Sequence, residues 1–270
     1  MVLSPDATAE FERTGLLRLP AAVPAAAVAD MRDRFWAVLT AEHGIEPDRP
    51  DTWTVEHPRH LQGLKRAGAF NPMATGMVLE ALDVLLGAGG WSPPKTWGLP
   101  LVTFPVKGAE WTLPSSGWHV DSYGPDHELP GVTVFAFLAP VAARGGGTAV
   151  LAGSHRLVNH HIATTGSWRP AEIKTALAAD HPWLRELWAA RPQAGRVARY
   201  LDEGATIDEV PLRVLELTGA PGDVVLMHPR TLHAPAPNTL ATPRMMLVEI
   251  IGRRALPHDR GGSGESVSHG

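Results

Sequence analysis

The stretch "GWHVDSYG", residues 117–124, places His119 and Asp121 two positions apart. On a β-strand, residues two apart point to the same face, so both side chains would reach one site while Trp118 and Val120 face the other way. On a helix the same spacing would separate the two side chains by about 200°. The pair alone is a weak signal in a chain with 13 histidines, so its meaning depends on the elements around it.

The surrounding chain has the pattern of an antiparallel sandwich or barrel. From about residue 97, short apolar runs alternate with Gly, Pro, Asn and Asp. The runs are PLVTF, WHVD, VTVFAFL, GTAVLAG, RVLEL, DVVLM and RMMLVEII, with one helical interruption at 169–192 between the fourth and the fifth. The sequence therefore predicts a mainly β protein whose core spans about 97–252 and carries flanking helices.

The first part of the chain, about residues 1–95, is predicted to be helical. Apolar residues recur every three to four positions in 21–44, with Pro24 in the first turn and Gly44 at the end. A second helix is expected within 71–90. Its predicted N-cap is Asn71, its first residue Pro72 and its end Gly87.

Neither an internal repeat nor a shift in composition marks a second domain. We expect one domain over residues 1–256. The Gly- and Ser-rich segment 257–270 is expected to be a disordered tail.

Composition excludes several classes of function. The formal charge of −4 gives no basic footprint for nucleic acid, and no apolar run reaches the roughly 18 residues of a membrane span. The N-terminus does not resemble a signal peptide, so we expect a cytoplasmic protein. The sequence does not decide between a monomer and a homodimer. Without cysteine, a metal site must use His, Asp or Glu, the ligands that suit iron, manganese or zinc.

A third metal ligand is available in "PGDVVLMHPRTLHAPAPN", where His228 and His233 are both candidates. Two imidazoles and one carboxylate on one face form the triad of non-heme Fe(II) oxygenases. Eleven residues after His233, Arg244 begins the run RMMLVEII, and the hairpin PAPNTLATP is expected to return it to the site. A buried guanidinium needs an anionic partner, and its fork suits a carboxylate.

The ordered motifs "WHVD", "RGGGTAVLAGSH", "GDVVLMHPRTLHAPAPN" and "PR" resemble the phytanoyl-CoA dioxygenase family of Fe(II)/2-oxoglutarate oxygenases, over roughly residues 97–252. The resemblance implies a double-stranded β-helix, with Fe(II) bound by His119, Asp121 and His233. It also implies that Arg244 binds the distal carboxylate of 2-oxoglutarate. Such an enzyme uses O2, releases succinate and CO2, and hydroxylates or otherwise oxidises a C–H bond of a small molecule.

The resemblance assigns further residues to the co-substrate. Phe135 matches a strand position where relatives often place an aromatic ring beside 2-oxoglutarate. Relatives often carry Ser or Thr two residues after the distal histidine, but Pro235 stands there. Thr103 or Thr148 is then the expected replacement donor. The presence of Asp121 favours hydroxylation over halogenation, because halogenases of the family have a small residue at that position.

The remaining polar residues have simpler interpretations. His228 is expected at a strand end on the surface or behind the site, and His155 and Asn238 are expected to brace their turns. Segment 157–212 is long enough to act as a lid. Surface charges are expected at Lys65, Arg66 and Lys107, and four tryptophans are expected near the mouth, as core or as pocket lining: Trp91, Trp97, Trp111 and Trp118.

Two alternatives stay open. A catalytically silent barrel that binds 2-oxoglutarate and metal is supported by Pro235, and a metal-dependent hydrolase could use the same triad. Arg244 argues against the hydrolase, which has no use for a dicarboxylate clamp. No motif indicates the substrate.

Overall fold

The computed structural model of the protein describes residues 3–106, 108, 110–121, 124, 127–189 and 194–254. The expected tail at 257–270 and the expected surface charge at Lys107 lie outside the described residues. No helix within these ranges is long and apolar enough to cross a membrane.

The described residues form seven α-helices and nine strands. The helices are α1 (Pro5–Thr14), α2 (Ala25–His43), α3 (Gln62–Arg66), α4 (Gly76–Leu86), α5 (Ser154–Thr165), α6 (Pro170–Asp180) and α7 (Pro182–Leu187). The strands are β1 (Leu16–Leu19), β2 (Leu99–Thr103), β3 (Gly131–Phe137), β4 (Thr148–Ala152), β5 (Ala205–Ile207), β6 (Val210–Glu216), β7 (Val224–Met227), β8 (His233–Pro235) and β9 (Arg244–Gly252).

The strands form two sheets, in which every pairing is antiparallel. The order is β1-β7-β3-β9-β2 in the five-stranded sheet and β5-β6-β4-β8 in the four-stranded sheet. Alternate residues of both sheets, among them Phe137, Val150 and Met246, pack in one apolar cluster between them. The predicted mainly β, double-stranded β-helix fold with flanking helices is confirmed.

Helices cover the outer face of each sheet. Residues of α1, α2 and α4, such as Phe35 and Leu82, share a cluster with Val134 of β3 and Leu247 of β9. Residues of α5, α6 and α7 pack with the outward residues of the four-stranded sheet. Because both faces of each sheet are covered, β3 and β4 read as continuous apolar runs rather than as alternating ones.

The N-terminal part is not purely helical as predicted. Residues Leu16–Leu19 form β1, which pairs with β7 at the sheet edge, from Leu16 opposite Met227 to Leu19 opposite Val224. Four residues are too few to show a period of two, so the sequence pattern missed this strand. The helix expected within 21–44 is present as α2, and Gly44 ends it with a left-handed φ of 65°.

The second predicted helix begins later than expected. Residues Asn71–Met73 form a separate 3-10 turn, and α4 starts at Gly76, after an N-cap in which Thr75 Oγ1 accepts a hydrogen bond from the Val78 amide. The Asn71 side chain instead accepts a hydrogen bond from the Trp97 amide at 3.0 Å. Asn71 is thus used to join two distant segments, which local capping rules do not detect.

The predicted hairpin before Arg244 was wrong. Strand β8 belongs to the four-stranded sheet and β9 to the five-stranded sheet, so residues 236–243 connect the two sheets. Buried Asn238 braces this connection: its amide nitrogen donates to the carbonyls of Thr103 and Thr242, and its oxygen accepts from the Leu240 amide. Arg244 enters the interior because it begins β9 opposite Thr103 of β2.

Candidate metal centre

The structure brings His119, Asp121 and His233 together. One ligand atom from each lies within 4.8 Å of the others, and no second group of three such residues was found in the described ranges. The Nε2 atoms of His119 and His233 lie 3.9 and 3.7 Å from the two carboxylate oxygens of Asp121. The three donors therefore converge on one point, as metal ligands on one face do.

Backbone pairing sets the two histidines side by side. His119 and His233 form an isolated antiparallel bridge in which each amide donates to the other's carbonyl at 2.9 Å. The structure has only this bridge where a strand was predicted at 118–121, but successive side chains still point to opposite faces. Trp118 and Val120 are buried against the helices of the four-stranded sheet, while His119 and Asp121 line the interior.

Hydrogen bonds fix the direction of both imidazoles. Nδ1 of His119 lies 2.7 Å from the carbonyl of Gly117, and Nδ1 of His233 lies 2.9 Å from the carbonyl of Thr231. A carbonyl only accepts, so each Nδ1 carries the proton and each Nε2 presents a lone pair to the shared centre.

Asp121 is held from two sides. The hydroxyl of Thr133 donates to its Oδ2 at 2.9 Å, and its own amide donates to the carbonyl of Pro229 at 2.7 Å. The first contact orients the carboxylate and the second fixes the backbone next to the loop that leads to His233. Sequence analysis did not identify Thr133, although it lies two positions before Phe135 on the same face of β3.

Electrostatics keep the buried histidine neutral. Burial lowers the pKa of His233, and the neighbouring His119 lowers it further, whereas Asp121 acts in the opposite sense. A neutral imidazole is the form that binds metal. The His119 side chain is 49% exposed and that of His233 only 7%, so the centre opens to solvent on the His119 side.

A cavity of about 230 Å³ extends inward from the three residues. Six of the seven predicted site residues line it, together with four apolar residues: His119, Asp121, Phe135, Thr148, His233 and Arg244, with Leu101, Pro235, Val248 and Ile250. Thr103 is not among the lining residues. It lies opposite Arg244 in the β2–β9 ladder, and its buried hydroxyl has no hydrogen-bond partner.

Arg244 is a buried cation on the wall of this cavity. Burial lowers its pKa to about 10, which Glu216 partly opposes, so the guanidinium is charged at neutral pH. Within the described ranges no carboxylate forms an ion pair with it, and its Nε has no hydrogen-bond partner. A buried guanidinium in this state is costly unless an anion reaches it, and the cavity links it to the histidines and Asp121.

Pro235 lines the cavity but provides no side-chain hydrogen-bond donor two residues after His233. Thr148 of β4 lies directly opposite Pro235 of β8, and both line the cavity. Directly opposed side chains of an antiparallel pair lie on the same face of the sheet, so Thr148 places its hydroxyl on the same cavity wall as Pro235.

His228 lies outside the cavity and is buried, which excludes the surface position that was one of its two expected places. Its Nε2 lies 2.9 Å from the Glu128 carbonyl, and its ring stacks against those of Phe11 and His155. Burial lowers its pKa well below the usual value. His155 is also buried, and its Nε2 lies 3.1 Å from the Glu12 carbonyl rather than bracing its own turn.

The expectations for the four tryptophans and for the surface charges were wrong in part. Trp91 and Trp97 belong to the core outside the five-stranded sheet, and Trp111 and Trp118 belong to the core outside the four-stranded sheet. None of the four lines the cavity, which leaves core packing as their role. Arg66 is exposed as expected, but Lys65 donates to both oxygens of buried Glu249 at 2.7 and 2.8 Å.

The proposed lid does not cover the cavity in this structure. The described residues of segment 157–212 form part of α5, all of α6, α7 and β5, and the start of β6, and none of them lines the cavity. Their apolar side chains pack on the outer face of the four-stranded sheet instead. Helical periodicity predicted the helices but carried no information about which sheet face they cover.

Solved structures of similar fold are known. EvdO2 from Micromonospora carbonacea var. aurantiaca is 17% identical, with a TM-score of 0.54 and 96% of this chain matched to 95% of that one. AviO1 from Streptomyces viridochromogenes Tue57 is also 17% identical, with a TM-score of 0.52 and coverages of 95% and 98%. At this identity the likeness shows the fold alone.

Sequence comparison identifies the family. No curated protein matches the chain significantly. The family model described as phytanoyl-CoA dioxygenase (PhyH), however, matches residues 11–246, a range that contains the three converging side chains and Arg244. The chain belongs to the phytanoyl-CoA dioxygenase family.

Proposed function

We propose that the protein is an Fe(II)- and 2-oxoglutarate-dependent oxygenase that hydroxylates, or otherwise oxidises, a C–H bond of a small molecule. The observation that carries the proposal is one cavity with two Nε2 lone pairs and a carboxylate at one end and a buried, unpaired guanidinium on its wall. A second structure of EvdO2 is described as complexed with 2-oxoglutarate, which supports the choice of co-substrate.

In this proposal His119, Asp121 and His233 hold the iron. The chemistry of the donor set fits, because two neutral imidazoles and one carboxylate on one face leave the opposite coordination positions free. Bound iron and 2-oxoglutarate would supply the activation of O2, with succinate and CO2 as co-products. The contribution of the chain is to fix the three donors, which is supported by the imidazole hydrogen bonds to the Gly117 and Thr231 carbonyls and by the hydrogen bond from the Thr133 hydroxyl to Asp121.

The 2-oxoglutarate is assigned to the inner part of the cavity. Arg244 binds its distal carboxylate through paired charge-assisted hydrogen bonds, which also neutralises the buried cation. Thr148 is the better candidate for the donor that Pro235 lacks, since it lines the cavity and Thr103 does not. Phe135 flanks the co-substrate and, with Leu101 and Val248, keeps water from its carbon chain.

The substrate is assigned to the open side, next to the half-exposed His119. A cavity of about 230 Å³ accommodates a five-carbon dicarboxylate but no sizeable second molecule. A substrate C–H bond would therefore be presented at the mouth and held there in a fixed orientation, which is the protein's share of the rate enhancement.

Anaerobic titration with Fe(II) and 2-oxoglutarate tests the proposal. Chelation of the keto acid by ferrous iron gives a visible charge-transfer band, which should appear in the native protein and be absent in His233→Ala. A screen of small molecules for stimulated succinate release would then identify the substrate. A native protein without the band would contradict the proposal.

The second candidate is a catalytically silent barrel, favoured by Pro235. It predicts that the charge-transfer band forms, that no compound stimulates succinate release, and that bound 2-oxoglutarate is not consumed in air. A metal-dependent hydrolase would instead contain zinc and act without O2, and the unpaired Arg244 disfavours it.

A further inference from the structure

Arg230 lies in the loop between β7 and His233 and is one of the largest fully buried side chains. Among the described residues no carboxylate forms an ion pair with it. Its two terminal nitrogens donate instead to the Asn159 side-chain oxygen at 2.7 Å and to the Gly124 carbonyl at 2.8 Å. Burial lowers the pKa of Arg230 and the charge of Glu128 acts in the opposite sense, so the guanidinium is held by neutral hydrogen-bond acceptors and by one carboxylate that forms no ion pair with it.

The three partners of this contact belong to different parts of the chain. Asn159 lies on α5, Arg230 precedes His233 by three residues, and Gly124 follows Asp121 by three residues. The guanidinium thus ties the segment after one metal-ligand candidate to the loop that carries another. It is the planar fork of arginine that reaches two acceptors at once, which the point charge of lysine cannot do as well.

The backbone next to Arg230 contacts the same two candidates. The carbonyl of Pro229 accepts the hydrogen bond from the Asp121 amide, and the carbonyl of Thr231 accepts the bond from His233 Nδ1. A shift of the backbone at Arg230 would therefore move both acceptors, because they belong to the residues on either side of it.

A second set of contacts involves Glu128, seven residues after Asp121. The Glu128 carbonyl lies 3.1 Å from the Asn159 side-chain nitrogen and 2.9 Å from His228 Nε2. Asn159 thereby contacts both Arg230 and Glu128. His228, in turn, accepts a hydrogen bond from the Arg230 amide through its Nδ1.

We propose that Arg230 is a positioning residue for the metal centre: through Gly124, Pro229 and Thr231 it sets the relative placement of Asp121 and His233. The inference rests on the proposed function, since it assigns Arg230 a role toward the metal that those two side chains would hold. Arg230 itself touches neither ligand side chain and takes no part in the reaction.

Binding of Co(II), measured by its visible absorption during titration of the full-length protein without 2-oxoglutarate, tests the inference. Arg230→Gln should weaken Co(II) binding about 10-fold or more and change the shape of the Co(II) spectrum, because the loss of a hydrogen bond that orients metal ligands lowers metal affinity by about this much. Arg230→Lys should recover part of the affinity, and Asn159→Ala should weaken it in the same direction. These two milder variants keep the test open should Arg230→Gln fail to fold.

Arg253→Gln is the matched control. Arg253 is half-buried, and one of its terminal nitrogens donates to the Leu85 carbonyl on a helix, away from both ligand segments. Its substitution should leave the Co(II) affinity and spectrum unchanged even where the thermal midpoint falls.

The outcomes separate the two proposals. Co(II) bound by the Arg230 variants with native affinity and spectrum, or weakened equally by Arg253→Gln, would overturn the positioning role while leaving the metal centre intact. Failure of the native protein to bind Co(II) would overturn the metal centre itself, and the positioning role with it.

Discussion

Thr148 and Pro235 face each other across the β4–β8 ladder on the wall of the cavity that His119, Asp121 and His233 line. If the Thr148 hydroxyl replaces the donor that Pro235 lacks, Thr148→Val should weaken 2-oxoglutarate binding about 10-fold, since a hydrogen bond to a charged group is worth about 1.5–3 kcal/mol. Pro235→Thr should restore affinity in the Thr148→Val background. Titration of the charge-transfer band measures both, and a loss of affinity in Thr103→Val but not in Thr148→Val would show that the wrong threonine was chosen.

Arg244 should control the affinity for 2-oxoglutarate rather than for metal. Arg244→Gln leaves the distal carboxylate buried without its cation, a change that costs about 2–5 kcal/mol at buried charge pairs, or 30-fold and more in dissociation constant. Co(II) binding without 2-oxoglutarate should stay close to native. A variant that loses Co(II) binding as well would assign Arg244 to the fold instead.

The lowered pKa of Arg244 predicts a pH dependence for the same equilibrium. Because the free protein loses this charge near pH 10, the affinity for 2-oxoglutarate should fall as the pH rises through 10. Isothermal titration between pH 8 and 10.5 would measure the fall, and Arg244→Gln should lack it.

The hydroxyl of Thr133 should matter to the metal through Asp121. Thr133→Val keeps the shape of the side chain but removes the hydrogen bond to Oδ2, and it should weaken Co(II) binding about 10-fold. Thr206→Val, at an exposed position of β5, provides the control. Unchanged Co(II) binding in Thr133→Val would mean that Asp121 keeps its orientation without this contact.

The two histidines after β7 should behave differently. His233→Ala should abolish Co(II) binding. His228→Ala should reduce the free energy of unfolding, because it removes a buried ring and its hydrogen bond to the Glu128 carbonyl, yet retain measurable Co(II) binding. The reverse result would assign the third ligand to His228.

Acid should destabilise the protein through its buried histidines. Burial lowers the pKa of His155 from 6.5 to about 4, so the unfolded chain takes up its proton first as the pH falls. The contribution of His155 to stability is complete above about pH 6.5 and is lost progressively toward pH 4, a change of about 3 kcal/mol. Urea unfolding at several pH values should show a shallower acid limb in His155→Gln than in His160→Gln, whose side chain is exposed.

Part of the candidate site could be predicted from local rules. Spacing by two placed His119 and Asp121 on one face, and the apolar run that starts at Arg244 indicated a buried strand. The choice of His233 over His228 came instead from the family resemblance, because both histidines lie in one segment. The features that were missed depend on contacts between distant segments. Neither the short strand β1 nor the sheet change between β8 and β9 leaves a local pattern, and the bond from Thr133 to Asp121 joins residues on different strands.

The β1–β7 ladder has a consequence for how the protein is made. Among the described residues, β1 at 16–19 pairs with one strand, β7 at 224–227. Most of the chain must therefore emerge from the ribosome before β1 can pair. Closing so long a loop is slow, and until then β1 lacks its strand partner. Nascent chains shorter than about 227 residues should therefore expose an apolar sheet edge and depend on protection against aggregation.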